Sequence, residues 1–323
     1  MAAPADRILP WDRVLAWAER RPQRLFGYNP WRLGTHVLHT ALRHRVTGPA
    51  AEMSFFAMLT LVPLTVAVGA ALGQIQRFVG PEKIARGQDA AIALVRVVIS
   101  PRLTDGVVDP FVRAQLSQQK GGAAIGGLLL TWWLAGRLFA ATSRALDTAY
   151  EERHRRLSVN QRLIALGFAF GSVVVVVLTL GIMVDAPFLD EHRAVAAQFG
   201  VSQALVTAWY LGRWPVVLLV LGVFLLCLYR FAPSIRHAWR HLVPGAVLGV
   251  LLWILAAVAF RIYLALGSGA PTGVVVNDAR VVIIGQAVGA VVATVLWTYF
   301  SSVAILVGNE LNAELARMRG HDV

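Results

Sequence analysis

Residues 284–315 read IGQAVGAVVATVLWTYFSSVAILVGNELNAEL, a long apolar run that ends in polar residues. More than twenty consecutive uncharged residues precede Asn309. About 20 helical residues cross the hydrocarbon core of a bilayer, so this run predicts a transmembrane helix. The ending Asn309-Glu310-Leu311-Asn312 places a carboxylate and two amides either in water beyond the lipid or inside a helix bundle.

The composition of the whole chain is that of an integral membrane protein. Of its 323 residues, 57% are hydrophobic and 15% are charged, whereas soluble domains have about 25% charged residues. The formal net charge of +12 is carried almost wholly by arginine. Basic residues accumulate on the cytoplasmic side of membrane proteins, which explains this charge without a nucleic-acid partner. Cys227 is the only cysteine and excludes an intrachain disulfide.

We predict an all-α integral membrane protein built as a bundle of six transmembrane helices. The predicted spans lie at about residues 50–76, 121–143, 161–184, 207–229, 244–266 and 281–308. The membrane domain 50–308 then follows a basic arm, residues 1–49, and precedes a short tail, residues 309–323. Between the first two spans lies a long loop whose apolar pieces predict short surface helices or a re-entrant element.

The distribution of basic residues predicts the orientation. Lys and Arg number eight in 1–49 and five in 144–162, but one each in 185–206 and 267–280. By the positive-inside rule both termini are cytoplasmic, and the loop 77–120 lies outside.

The basic arm contains a predicted amphipathic helix. Apolar and basic residues recur at helical spacing on two faces: Trp31, Leu38, Leu42 and Val46 on one, and Arg32, His36, His39 and Arg43 on the other. We interpret this helix as lying on an anionic membrane surface. A solvated cytoplasmic arm is the alternative.

Small residues predict close packing between the spans. Gly-x-x-x-Gly, which lets helix backbones approach in lipid, occurs at Gly69/Gly73, Gly122/Gly126, Gly167/Gly171, Gly245/Gly249 and Gly285/Gly289. Pro63 removes a backbone hydrogen bond and predicts a kink in the first span. Pro244 precedes Gly245 at the start of the fifth span, where proline is tolerated.

Four ionisable residues fall in or at the ends of the spans: Glu52, Arg137, Arg261 and Glu310. Such groups are costly in lipid and usually face the bundle interior. Glu52, Arg137 and Glu310 share the cytoplasmic half by depth, so we predict that the two carboxylates flank the guanidinium, with Asn309 and Asn312 beside them. The alternatives are a polar substrate site and a purely structural staple or a snorkelling arginine. Arg261 is predicted near the outer leaflet, as a snorkelling residue or a phosphate contact.

No pattern in the chain indicates catalysis or a metal site. His237 and His241 are four residues apart, as metal ligands on one helix face are, but Arg236 and Arg240 beside them would repel a cation. We interpret these histidines, and His36, His39 and His44, as basic residues at the membrane interface. We expect no enzyme activity and no cofactor.

Four blocks of the sequence resemble the YihY/BrkB family of bacterial inner-membrane proteins. The blocks are Ala50–Leu64, Trp133–Tyr150, Arg240–Ala246 and Leu296–Asn312. The chain differs from the family pattern in having Asp147 where asparagine is usual and Asn309 where alanine is usual. The resemblance implies a six-span inner-membrane protein linked to envelope integrity. The family's former ribonuclease label has no support in these residues, because no metal-ligand set or general-base pair is present.

These features lead to two hypotheses about function. The first is a transporter or flippase, not driven by ATP, for an amphiphilic, anionic envelope molecule. The second is a structural or scaffold protein that supports the envelope without transport. Both imply contact with the lipid bilayer and with anionic lipids at the basic inner surface, and both allow a homo-oligomer.

Overall fold

The computed structural model describes residues 15, 18, 20, 29–79, 121–150, 158–191, 203–235, 237–267 and 279–320. Throughout these ranges the regular structure is helical. The helices are α1 (Pro30–Arg43), α2 (Thr47–Val79), α3 (Gly121–Ala149), α4 (Ser158–Glu191), α5 (Gln203–Phe231), α6 (Trp239–Gly267) and α7 (Ala279–Met318). The predicted outer loop 77–120 lies almost entirely outside the described residues.

Five of these helices are long and apolar enough to cross a membrane. The qualifying segments within the described residues are Ile125–Ala149, Val159–Val176, Leu211–Phe231, Trp239–Tyr263 and Val291–Met318. The 33-residue helix α2 lies over the remaining predicted span and runs through Pro63. An all-α membrane protein is therefore confirmed.

The helices bury a narrow apolar core and leave large apolar side chains outside. The core joins α2, α3, α5 and α7 through side chains such as Met53, Leu146, Leu228 and Leu306. Exposed apolar side chains occur along the spans, among them Leu129, Phe170, Leu219, Leu255 and Val292. A soluble protein hides most such surface, so this outward apolar face matches contact with lipid.

Helices α6 and α7 cross at backbone contact. A Cβ added to Gly245 would overlap the carbonyl oxygen of Gly308, and one added to Gly308 would lie 2.5 Å from the Gly245 oxygen. Gly249 lies beside the same crossing, with its virtual Cβ 3.1 Å from the Tyr229 hydroxyl. That hydroxyl, on α5, donates to the Ile305 carbonyl at 2.6 Å. Only glycine fits at the centre of this crossing.

The other predicted glycines whose surroundings the structure describes make no comparable contacts. A Cβ at Gly126, Gly167 or Gly289 would have no heavy atom within 4 Å, and one at Gly171 would make ordinary contact with Phe224. The surroundings of the other four, Gly69, Gly73, Gly122 and Gly285, lie outside the described residues. On α6, Gly245 and Gly249 both lie at the crossing, and the glycine that faces Gly245 is Gly308 of α7.

A tight turn joins α1 to α2 and fixes the direction of His44. The Val46 amide donates to the Ala41 carbonyl and the Arg45 amide to the Leu42 carbonyl, both at 3.1 Å. This pair of bonds is a Schellman motif, in which the residue just after the helix C-cap adopts a left-handed backbone conformation. Arg45 occupies that position, with φ of 49°. The turn lets His44 reach Glu310 in the C-terminal part of α7.

The final helix continues beyond the predicted end of its span. Residues 309–318 extend α7 through the polar segment to Met318 instead of forming a tail. Asn309, Glu310, Asn312 and Glu314 are all buried. The helix continues because neighbouring elements, and not water, surround these side chains.

Candidate functional site

The polar end of α7 contacts a different element through each of its buried side chains. The Asn309 Nδ2 donates to the Leu146 carbonyl of α3 at 3.0 Å. The Asn312 Oδ1 accepts from the Gly245 amide of α6 at 2.8 Å. These two amides therefore fasten α7 to helices on two sides.

Glu310 pairs with a histidine that the sequence did not suggest. Its Oε1 lies 2.8 Å from His44 Nδ1, and the two side chains are 3% and 11% exposed. A buried carboxylate is tolerated when it is paired and hydrogen-bonded. The pair connects the α1–α2 turn to α7.

Glu314, one turn further on, is shared between two bases. Its Oε2 lies 2.8 Å from Arg317 Nη1, and its Oε1 lies 3.5 Å from His36 Nδ1. Arg317 also donates to the Ala149 carbonyl at 2.7 Å. A cation at a helix C-terminus is favourable. Arg317 therefore stabilises the C-terminal end of α3 and also neutralises Glu314.

This polar cluster is only partly satisfied within the described residues. The atoms Asn309 Oδ1, Glu310 Oε2, Asn312 Nδ2 and Tyr150 Oη are buried and have no hydrogen-bond partner there. Burial raises the pKa of the Tyr150 hydroxyl well above its usual range, and the charge of Glu310 adds to the rise. The hydroxyl consequently stays protonated at neutral pH.

Asp147, at the end of α3, holds the connection between α5 and α6. Its carboxylate accepts from the Ser234 amide at 2.6 Å and from the Ser234 hydroxyl at 3.1 Å. One turn earlier, the Ser143 hydroxyl donates to the Ala232 carbonyl at 2.5 Å. The family-atypical Asp147 therefore has a structural partner.

The structure does not bring Glu52, Arg137 and Glu310 into one ion-paired group. Glu52 Oε1 lies 2.5 Å from Arg144 Nη2, while Glu310 is paired with His44. The Arg137 side chain is exposed on the bundle surface. Equal depth did not imply contact, because Glu52 and Arg137 point outward whereas Glu310 points into the bundle.

Arg137 rests against aromatic rings. Its Cζ lies 5.5 Å from the centre of the Phe56 ring on α2 and 5.9 Å from that of Trp133, one turn away on α3. Such cation–π contacts hold a guanidinium in place without neutralising it. Arg137 thus keeps its charge available for an anion.

Together, Glu52, Phe56, Trp133, Arg137 and Arg144 form what we call the α2–α3 seam. Glu52 and Arg144 are 44% and 36% exposed. Arg137 lies seven residues from Arg144, or about 10 Å along the helix and further into the span. The seam is a row of three charged side chains on the outer surface of α2 and α3.

One further predicted residue, Arg261, lies elsewhere. It is exposed near the C-terminal end of α6, away from the polar end of α7. Among the described residues, no three His, Cys, Asp or Glu side chains are grouped as metal ligands.

Sequence reasoning missed His44 and Arg144 as the partners of the two carboxylates. Both are basic residues near the ends of helices in the sequence, His44 just after α1 and Arg144 in the last two turns of α3. The contacts depend on the α1–α2 turn and on the rotation of α3, which one-dimensional spacing does not give.

Comparison with known proteins identifies the family. The chain is 23% identical to the ribonuclease-like protein YfkH of Bacillus subtilis (strain 168), over 85% of this chain and 92% of that protein. It is 26% identical to a UPF0761 membrane protein of Stenotrophomonas maltophilia (strain K279a), over 96% of this chain and 66% of that longer protein. A UPF0761 membrane protein of Aliivibrio fischeri (strain MJ11) is 22% identical over 90% of this chain and 85% of its own length.

No solved structure matches the chain. The family model described as Virulence factor BrkB matches residues 37–322, which include every helix from α2 to α7. The chain therefore belongs to the Virulence factor BrkB family of membrane proteins.

Proposed function

We propose that this protein moves phosphate-bearing amphiphiles of the bacterial envelope between membrane leaflets without ATP, by conducting the headgroup along the α2–α3 seam. One observation carries the proposal. It is the exposed Arg137 guanidinium, held over Phe56 and Trp133 within a span.

The cost of such an arginine supports a functional role. An arginine near the centre of a transmembrane helix costs about 2.5–3.5 kcal/mol on insertion scales. In the described residues, the carboxylates of Glu52, Glu310 and Glu314 are paired with other bases. A lipid phosphate would supply the missing anion, because guanidinium binds phosphate through two parallel hydrogen bonds.

The position of the seam supports movement of a headgroup instead of simple snorkelling. Arg144 lies near the inner end of α3, and Arg137 lies about 10 Å deeper. A phosphate that leaves Arg144 could reach Arg137 while its acyl chains remain in lipid beside the exposed apolar face. Arg261, on the outer part of α6, is proposed as a phosphate contact in the opposite leaflet.

The experiment is lipid exchange in vesicles. Purified protein is reconstituted with phosphatidylglycerol or phosphatidylethanolamine carrying a fluorophore on an acyl chain, and dithionite measures the label that reaches the outer leaflet. Arg137→Gln is expected to slow exchange about tenfold, the effect of one lost charge-assisted hydrogen bond. Arg162→Gln, an exposed arginine at the inner end of α4, is the matched control and should exchange normally. Rates equal to those of empty vesicles for both lipids would refute the proposal.

We also propose six spans in the bacterial inner membrane, with α2 as the first span and both termini cytoplasmic. The 3.5 Å contact between His36 Nδ1 and Glu314 Oε1 supports this proposal, because it joins α1 to the end of α7. Trp31, Leu38 and Leu42 are exposed on α1 beside Arg32 and Arg43. That face suits the acyl boundary and anionic headgroups of the inner leaflet.

A reporter fused after residue 323 tests this topology. A fused green fluorescent protein should fluoresce, because it folds in the cytoplasm, and a fused alkaline phosphatase should be inactive there. The reverse pattern would overturn the orientation of α7 and the placement of α1 together.

A further inference from the structure

Building on the proposed function, we infer that the α2–α3 seam prefers phospholipids whose headgroup carries both a phosphate and a primary ammonium. This inference rests on the partly exposed ion pair at the inner end of the seam, in which Glu52 Oε1 lies 2.5 Å from Arg144 Nη2. A carboxylate at the entrance would repel a purely anionic headgroup, so its presence there favours a headgroup that also carries a positive charge.

The preference follows from how partners are exchanged when a headgroup enters. An anionic lipid that binds Arg144 displaces Glu52 and leaves that carboxylate unpaired beside another negative charge. A phosphoethanolamine headgroup gives its phosphate to Arg144 and its ammonium to Glu52, so both protein charges stay paired. A charge left without its partner at a partly desolvated site is costly.

Hydrogen bonding narrows the class to primary amines. An ammonium with N–H groups donates to a carboxylate in a charge-assisted bond, whereas a quaternary choline nitrogen has no hydrogen to donate. The aromatic rings that attract choline groups in other sites are here occupied by the Arg137 guanidinium. A choline headgroup therefore gains less at Glu52 than an ethanolamine headgroup.

Arg137 then completes the path. After the headgroup leaves Arg144, its phosphate can be received by Arg137 while Glu52 and Arg144 pair again behind it. The carboxylate acts at the entrance, where it sorts headgroups, and the deeper arginine acts on any phosphate.

The test compares three acyl-labelled probes in vesicles of one composition: phosphatidylethanolamine, phosphatidylcholine and phosphatidylglycerol. The wild-type protein should move the ethanolamine lipid about fivefold faster than the glycerol lipid, the factor that a partly exposed ion pair supplies. Glu52→Gln should abolish this ratio by slowing the ethanolamine probe and releasing Arg144 for the glycerol probe. Glu52→Asp keeps the carboxylate and should retain a preference.

The outcomes separate this inference from the proposed function. Equal wild-type rates for the ethanolamine and glycerol probes, or a ratio unchanged in Glu52→Gln, would overturn the headgroup preference while lipid movement stands. Absence of movement for every probe would instead remove the proposed function. Arg162→Gln should leave both the rates and the ratio unchanged.

Discussion

Replacing Gly308 with alanine is expected to destabilise the protein by about 2–3 kcal/mol or more, the upper range for overpacking a well-packed core. The new Cβ would overlap the Tyr229 hydroxyl and lie 2.5 Å from the Gly245 carbonyl oxygen. Neither backbone can yield without separating α6 from α7, and the bond from Tyr229 to Ile305 would be lost with it. Thermal unfolding of the purified protein in detergent should show a midpoint several degrees lower.

The matched controls for this substitution are Gly167→Ala and Gly289→Ala. Both glycines lie within helices where an added Cβ has nothing within 4 Å, and alanine is a better helix former than glycine by about 1 kcal/mol. Their unfolding midpoints should stay level or rise. A normal midpoint for Gly308→Ala would mean that the α6–α7 crossing is looser than described, and a large loss at Gly289 would mean that this glycine is covered in an oligomer.

The second large effect is expected at the His44–Glu310 pair. His44→Ala leaves the buried Glu310 carboxyl group without its hydrogen-bond partner, and an unsatisfied buried polar group costs about 1–3 kcal/mol, or more when it is charged. Because His44 is on the α1–α2 turn, the loss should also loosen α1 and increase proteolysis near residue 30. The measurement is unfolding of the variant together with limited proteolysis.

A double-mutant cycle makes this prediction specific. Glu310→Gln removes the charge that needs a partner, so adding it to His44→Ala should restore stability, with a coupling energy of about 1 kcal/mol or more. His36→Ala is the control and should cost less, since Glu314 retains Arg317 at 2.8 Å. Simple additivity of His44→Ala and Glu310→Gln would show that the pair contributes little.

The presence of the long helices was largely predictable from the sequence, because uncharged apolar runs of about 20 residues are typical of transmembrane helices. The extent of α7 was not. The Asn309–Glu314 segment is polar enough to suggest water, and only the surrounding α1, α3 and α6 make it a buried helix. Gly245 was predictable as a packing residue, whereas Gly308, which has no glycine four residues away, followed only from the crossing geometry.

Sequence reasoning could name polar residues of the candidate site but could not give the contacts between them. Depth along a span can be counted from the sequence, which is why Glu52, Arg137 and Glu310 were placed at a similar level. Rotation about the helix axis cannot be counted reliably over long, uniformly apolar helices. That rotation turns Arg137 outward towards Phe56 and turns Glu310 inward towards His44.

The fastening of α7 has a consequence for how the bundle can change shape. Three side chains attach the polar end of α7 to its neighbours: Asn309 to α3, Asn312 to α6 and Glu310 to the α1–α2 turn. We therefore expect these elements to move as one rigid body. Within the described residues α4 makes no polar contact with that body beyond a 3.3 Å bond from Gln161 to Ser143. Apolar contacts otherwise hold it: the rings of Phe139, Phe168 and Phe224, and the buried Ala165 and Ala169. Apolar contacts tolerate sliding better than directed hydrogen bonds, so α4 is the helix that can shift while the elements around the polar end of α7 stay fixed.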